Sequence, residues 1–153
     1  MCQCENKKPL QVKIKKLHDL AVIPKYAKVG DAGMDMTCVD INYTDDYVEF
    51  VTGIAMEIPV SHVGILFPRS SNSKQDLLMT NSCGIIDSSY RGSINFRYKA
   101  VRHGEHDGEF KMYSIGDRVG QIIIMPYPQI QFEEVVELET TERGENGFGH
   151  SGN

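Results

Sequence analysis

Apolar and polar side chains alternate along much of this chain. In LQVKIKKL, Val12 and Ile14 alternate with Gln11, Lys13 and Lys15, the period-2 pattern of a strand with one face in a core. Short β-rich runs of similar length follow: MDMTCV, YVEFV, IAMEIPV, VGILF, SINFRYKAV, VGQIIIM and QFEEVVEL. Ile85 and Ile86 also read as strand. Glycine, proline, asparagine or aspartate punctuates most of the gaps, as turns between strands require. Only SSNSKQDLLM, after Pro68 and Arg69, suits a helix, of one or two turns. Many short strands at close spacing predict an all-β fold, a barrel or jelly roll. In the run Ile122, Ile123, Ile124, Met125 the apolar residues are consecutive, so both faces of that strand need cover. A subunit interface would supply it; so would a loop over a sandwich.

Composition narrows the classes of function. At 153 residues, 41% hydrophobic and 24% charged, the chain has the make-up of one globular domain. The net charge of −5 offers no basic excess to displace counterions from a nucleic acid. A small anion held by a few local arginines remains compatible with it. Cys2, Cys4, Cys38 and Cys83 form neither a zinc pattern nor a disulfide framework and read as free thiols. The N-terminal stretch MCQCENKKPLQ has no apolar h-region, and no span is long enough for a membrane helix. A soluble, cytoplasmic protein is expected, with neither nucleic acid nor membrane as partner.

Several short segments carry candidate chemistry. Asp35 sits inside the alternating run MDMTC, where aspartate is disfavoured and needs a partner. In PRSS, the guanidinium of Arg69, the hydroxyls of Ser70 and Ser71 and the free amides of a helix start would suit phosphate; a plain N-cap is the alternative for either serine. Asp87 opens the turn Asp-Ser-Ser-Tyr-Arg-Gly, either capping it or acting as a general base at a sheet margin, with Tyr90 as an aromatic wall. Asp117, Arg118 and Gln121 precede the apolar run, and Arg118 reads equally as a surface arginine. HGEHDGE suggests a hairpin tip; its glycines prevent the helical face that would converge His103 and His106 on a metal. Glu133, Glu134, Glu137, Glu139 and Glu142 form a solvated face.

Individually these signals are weak, but their order is specific. GDAGMDM, PRSS, NSCGIIDSSYRG, GDRVGQIIIMP and RGENGFGHSG, between Gly30 and Gly152, resemble the five motifs of the homotrimeric deoxyuridine triphosphatase family. The resemblance implies an all-β distorted jelly roll, a homotrimer with active sites shared between subunits, and Mg²⁺-dependent hydrolysis of dUTP to dUMP and pyrophosphate. That activity limits uracil incorporation into DNA and supplies dUMP for thymidylate synthesis. Asp87 matches the aspartate that activates the attacking water. Arg69, Ser70, Ser71 and Gln121 match positions holding the phosphate chain, and Tyr90 lies under the deoxyribose. Asn81, Ile85, Ile86 and Asn95 match the nucleoside pocket, where backbone groups near Gly92 to Asn95 read uracil. Asp35 either serves the water shell of Mg²⁺, held mainly by the triphosphate, or braces an arginine. Residues 1–142 would form the β-domain and 143–153 a glycine-rich lid, with Arg143 on the γ-phosphate and Phe148 over uracil beside Gly149.

Two departures stand out. PRSS replaces the family's PRSG, and His150 replaces the first hydroxyl residue of GFGSTG. A rival of the same fold is dCTP deaminase, which carries a glutamate in the strand after the turn; Arg97 stands at that register here. A rival of another class is a regulatory protein-binding role, for which residues 77–81 and 103–111 offer contact segments.

Overall fold

The computed structural model describes residues 8–101 and 109–147, which form ten strands and one short 3-10 helix. Three antiparallel sheets result. β1 (Lys13–Lys16) pairs with β5 (Ile54–Glu57). A second sheet runs in the order β2 (Met34–Thr37), β10 (Arg118–Pro126), β6 (His62–Phe67), β8 (Gly84–Ile86). A third runs β3 (Asp40–Tyr43), β4 (Val48–Val51), β9 (Asn95–Ala100), β7 (Leu77–Met79). The all-β jelly-roll expectation is borne out. No helix among the described residues is long and apolar enough to cross a membrane.

The two four-stranded sheets share one core because their alternation points inward together. Met36, Leu66, Val119 and Ile122 come from one sheet, and Phe50, Leu77, Met79, Phe96 and Tyr98 from the other. Phe50, Tyr98 and Tyr113 meet edge to face with ring centroids 5.7–5.8 Å apart, the geometry favoured by aromatic quadrupoles. The Tyr98 hydroxyl, buried, donates to the Val119 carbonyl at 2.7 Å, tying the sheets together. Burial pushes its pKa, and that of Tyr113, upward. Gly120 is required where it stands, because a Cβ there would overlap the fully buried ring of Phe96. Burial likewise pushes the Cys38 thiol up to about 11, so it packs as an inert apolar group.

The structure corrects the sequence reading in two elements. SSNSKQDLLM is not one helix: Ser70–Lys74 is a 3-10 turn, and Leu77–Met79 is a strand on the edge of the third sheet. Leu77 and Met79 face the core while Leu78 faces out, a period of two that overrides the helical propensity. QFEEVVEL is no strand; β10 ends at Pro126, and residues 127–147 form neither strand nor helix. Phe132, Val136 and Leu138 are 92%, 101% and 85% exposed, so this segment buries these apolar side chains against none of the described residues. β3, in DINY, escapes the pattern because only Ile41 in it is strongly apolar. Ile122 is fully buried while Ile123 and Ile124 are half-buried, so the two-faced strand is covered more on one side than the other.

Candidate active site

The first cluster lies where β2, β10 and β6 run side by side. Register places Gln121 opposite both Asp35 and Phe67, so these side chains share a row across the sheet. Two residues beyond Phe67, Arg69 turns back and donates Nε to Asp35 Oδ1 at 2.6 Å. Arg118 Nη1 reaches the other carboxylate oxygen at 3.1 Å. One half-buried carboxylate thus orients two guanidinium groups, which explains the aspartate in a strand. Arg69 Nη1 donates to Ser71 Oγ at 3.0 Å, and Gln121 Nε2 to the Pro68 carbonyl at 3.1 Å. Arg69 itself is the N-cap of the 3-10 turn, with no side-chain cap bond, so neither serine is spent on capping. Arg69, Arg118, Ser70 and Ser71 therefore concentrate positive charge and donors suited to phosphate oxygens.

The second cluster is a cavity of about 410 Å³ bounded by the outer face of the third sheet and by β8. Asn81, Ile85, Ile86, Asp87, Tyr90 and Asn95, all expected at a nucleoside pocket, line it. Asp87 is the residue after β8, and its carbonyl accepts from the Tyr90 amide at 3.0 Å. The turn is held by backbone, not by the carboxylate, to which no donor among the described residues is bonded. Tyr90 folds back so that its hydroxyl donates to the Ser93 carbonyl at 2.9 Å. That return requires Gly92, since a Cβ there would overlap the Tyr90 ring. Ser93 Oγ lies 2.7 Å from Asn95 Oδ1.

Glu49, Thr80, Ser93 and Arg97 also line this cavity. Alternation in YVEFV marks Glu49 as outward-facing, but nothing in the sequence pairs it with Arg97. Register does: Glu49 stands opposite Arg97, and Arg97 Nε donates to Glu49 Oε1 at 2.8 Å. Asn42 Nδ2 donates to the other oxygen at 3.2 Å. Burial would raise the Glu49 carboxyl, yet the hydrogen bonds from Arg97 and Asn42 outweigh it and hold the group below the usual carboxylate range.

The two clusters do not meet within one chain. Gly64 pairs with Ile86, so Asp87 lies level with Val63, six residues along the β6 direction from Arg69. At about 3.3 Å per residue that is roughly 20 Å, beyond the reach of an arginine side chain. Arg143 is exposed, donating Nε to the Asn146 carbonyl at 3.0 Å in a turn where Gly144 has φ +54. Phe148, Gly149 and His150 lie outside the described residues, as do His103, His106, Cys2 and Cys4. Of the segments suggested for a regulatory partner, residues 77–81 form β7 and its following turn, with Leu78 exposed. Most of 103–111 lies outside the described residues. No group of three or more metal-ligating side chains occurs among the described residues, and both oxygens of Asp35 are engaged by arginine.

Comparison with known proteins places the chain in a family. A deoxyuridine 5'-triphosphate nucleotidohydrolase of Syntrophotalea carbinolica is 36% identical over 150 residues, 95% of this chain and 99% of the relative. A mutant dUTPase of Staphylococcus bacteriophage 80alpha, with dUpNHpp, superposes with a TM-score of 0.78 at 26% identity, covering 94% of this chain and 99% of that one. A mutant dUTPase from phage phi11 of S. aureus, whose structure details the coordination of a structural Mg(II) ion, shares the fold at 22% identity and a TM-score of 0.69, covering 86% of this chain and 100% of that one. The dUTPase family model matches residues 19–152, taking in every strand from β2 to β10 and both clusters, and the chain belongs to the dUTPase family.

Proposed function

We propose that this chain hydrolyses dUTP to dUMP and pyrophosphate, in the cytoplasm, with Asp87 as general base. The observation that carries the reading is an Asp87 carboxylate with no bonded donor among the described residues, at the edge of a nucleoside-sized cavity walled by Tyr90. Asp87 would take a proton from a water as its oxygen bonds the α-phosphorus. The bridging α–β oxygen then leaves with pyrophosphate. General-base catalysis of this kind supplies roughly a hundred- to ten-thousand-fold; the rest is positioning and charge stabilisation. Tyr90, under the deoxyribose, would exclude a 2′-hydroxyl. The backbone of residues 92–95, with Asn81, Ile85, Ile86 and Asn95 around it, would read the base.

Arg69, Ser70, Ser71 and Gln121 would hold the phosphate chain, with Asp35 as the brace of Arg69 and Arg118. The described residues offer Mg²⁺ no cage, which fits an ion arriving on the triphosphate and supplying charge neutralisation there. The separation of roughly 20 Å between Arg69 and Asp87 supports a homotrimer in which one copy lends its phosphate-binding cluster to the nucleoside pocket of another. Exposed Phe132, Val136 and Leu138 are consistent with a segment that packs on a neighbour. Residues 143–153 would then close as a lid over the shared site, bringing Arg143 to the γ-phosphate and Phe148 and Gly149 over the base. Deamination is disfavoured: the Arg97 guanidinium cannot shuttle a proton, and Glu49 is locked by two donors.

The test is pyrophosphate release from dUTP, dCTP, dTTP and UTP with Mg²⁺. Only dUTP should turn over appreciably; absence of dUTP turnover, or appreciable turnover of dCTP or UTP, would sink the reading. Asp87→Asn should nearly abolish turnover while nucleotide still binds, and a variant with the wild-type rate would remove Asp87 from the mechanism.

A further inference from the structure

Asn95 and Arg97 are two residues apart on β9 and so project from the same face, while Phe96 between them is fully buried. That outer face is the floor of the nucleoside cavity. Arg97 does not lie loose on it. Its Nε is held by Glu49, its guanidinium carbon sits 4.5 Å from the centroid of the Tyr47 ring, and its backbone carbonyl accepts from the Thr80 amide at 3.0 Å. Glu49 is itself fixed from the other side by Asn42. An ion pair clamped by a cation–π contact and a third strand is a rigid object. Among the described residues Glu49 is the one side chain that accepts from this guanidinium, which leaves the Nη donors for whatever enters the cavity.

We propose that Arg97 is a base-specificity residue: its Nη donors meet a ring carbonyl of the bound pyrimidine, and Glu49 is the positioning residue that aims them. The proposal rests on the nucleoside reading of this cavity. Its chemistry is asymmetric. A 2,4-diketo pyrimidine presents a carbonyl acceptor where a 4-amino pyrimidine presents a donor, and a permanently protonated guanidinium cannot reverse its role to suit the latter. The amino compound would leave donor facing donor, the kind of mismatch that discriminates more strongly than a change of volume. Because the Arg97 side chain is 53% exposed, water screens part of the effect. The share of discrimination carried by this contact is then about tenfold, well below what a fully buried polar mismatch gives.

The experiment is kcat/KM for dUTP and for dCTP, with Mg²⁺, in the wild type, Arg97→Met and Glu49→Gln. Met keeps the apolar stem and removes the donors. The dUTP/dCTP ratio should fall about tenfold in Arg97→Met, and in the same direction but less in Glu49→Gln. Lost folding or a smaller active fraction lowers both substrates together and leaves the ratio unmoved, so the ratio reports base reading alone. A wild type active on dUTP with an unchanged ratio in Arg97→Met overturns the proposal and leaves the dUTP reading standing. An unchanged ratio in Glu49→Gln alone overturns the positioning role. A wild type inactive on dUTP overturns the underlying reading, and this inference with it.

Discussion

Asp35→Asn separates the two roles open to this carboxylate. The substitution keeps the shape of the side chain and one acceptor, but removes the charge that neutralises Arg69 and Arg118. The Arg69 contact, at 2.6 Å between side chains 23% and 26% exposed, is closer to a buried charge-assisted bond than to a surface pair. Such a contact is worth about 1–2 kcal/mol once partial exposure is allowed for. Arg118 is 56% exposed, and its contact adds no more than about 0.5 kcal/mol. The expected loss is therefore about 1–2.5 kcal/mol. With a urea m-value of about 2 kcal/mol/M for a chain of this size, the midpoint should fall by about 0.5–1.2 M. The assay is far-UV circular dichroism in Mg²⁺-free buffer, at one protomer concentration throughout, because assembly would shift the midpoint by mass action. A double-mutant cycle with Arg69→Gln should return a coupling of about 1 kcal/mol or more. Coupling within about 0.5 kcal/mol of zero, with the effect of Asp35→Asn confined to Mg²⁺ dependence, would refute the bracing argument and return Asp35 to the metal.

Gly120→Ala should destabilise by about 1–3 kcal/mol, since the Phe96 ring has nowhere to move; a thermal midpoint unchanged within a degree would contradict this. The Glu49–Arg97 pair should show a defined pH window. The folded carboxyl is held below its ordinary value, so its contribution, about 1 kcal/mol at most, is present above the unfolded carboxylate range and lost as pH falls through the folded pKa. The stability gap between wild type and Glu49→Gln should therefore be flat near neutrality and close in acid; a gap that widens in acid has the wrong sign. Truncation after Glu142 should cripple turnover yet leave the sedimentation coefficient and the circular dichroism of the β-domain in place, and full activity in that variant would remove the lid.

The legibility of this protein divides along a physical line. Local alternation was enough for most strands, because a side-chain period of two records directly which face meets the core. Phe50 and Phe96 are examples: each sits mid-run and each is fully buried. The ordered motifs likewise singled out Asp35 and Arg69, which the structure joins in an ion pair, and Asp87 and Tyr90, which line one cavity. Alternation misled only where tertiary contact decides. QFEEVVEL has the pattern of a strand, but a strand needs a partner edge, and none among the described residues pairs with it. LLM carries too few residues to distinguish strand from helix until β9 pairs with it. Pairing across the fold is the information a linear pattern lacks. It set Arg97 opposite Glu49, forty-eight residues away, and turned two ordinary surface charges into the floor of a cavity. It also put Arg69 and Asp87 at opposite ends of neighbouring strands, because antiparallel register carries one chain upward as the other descends. Candidate residues were thus written locally; which of them stand together was decided only by the sheet.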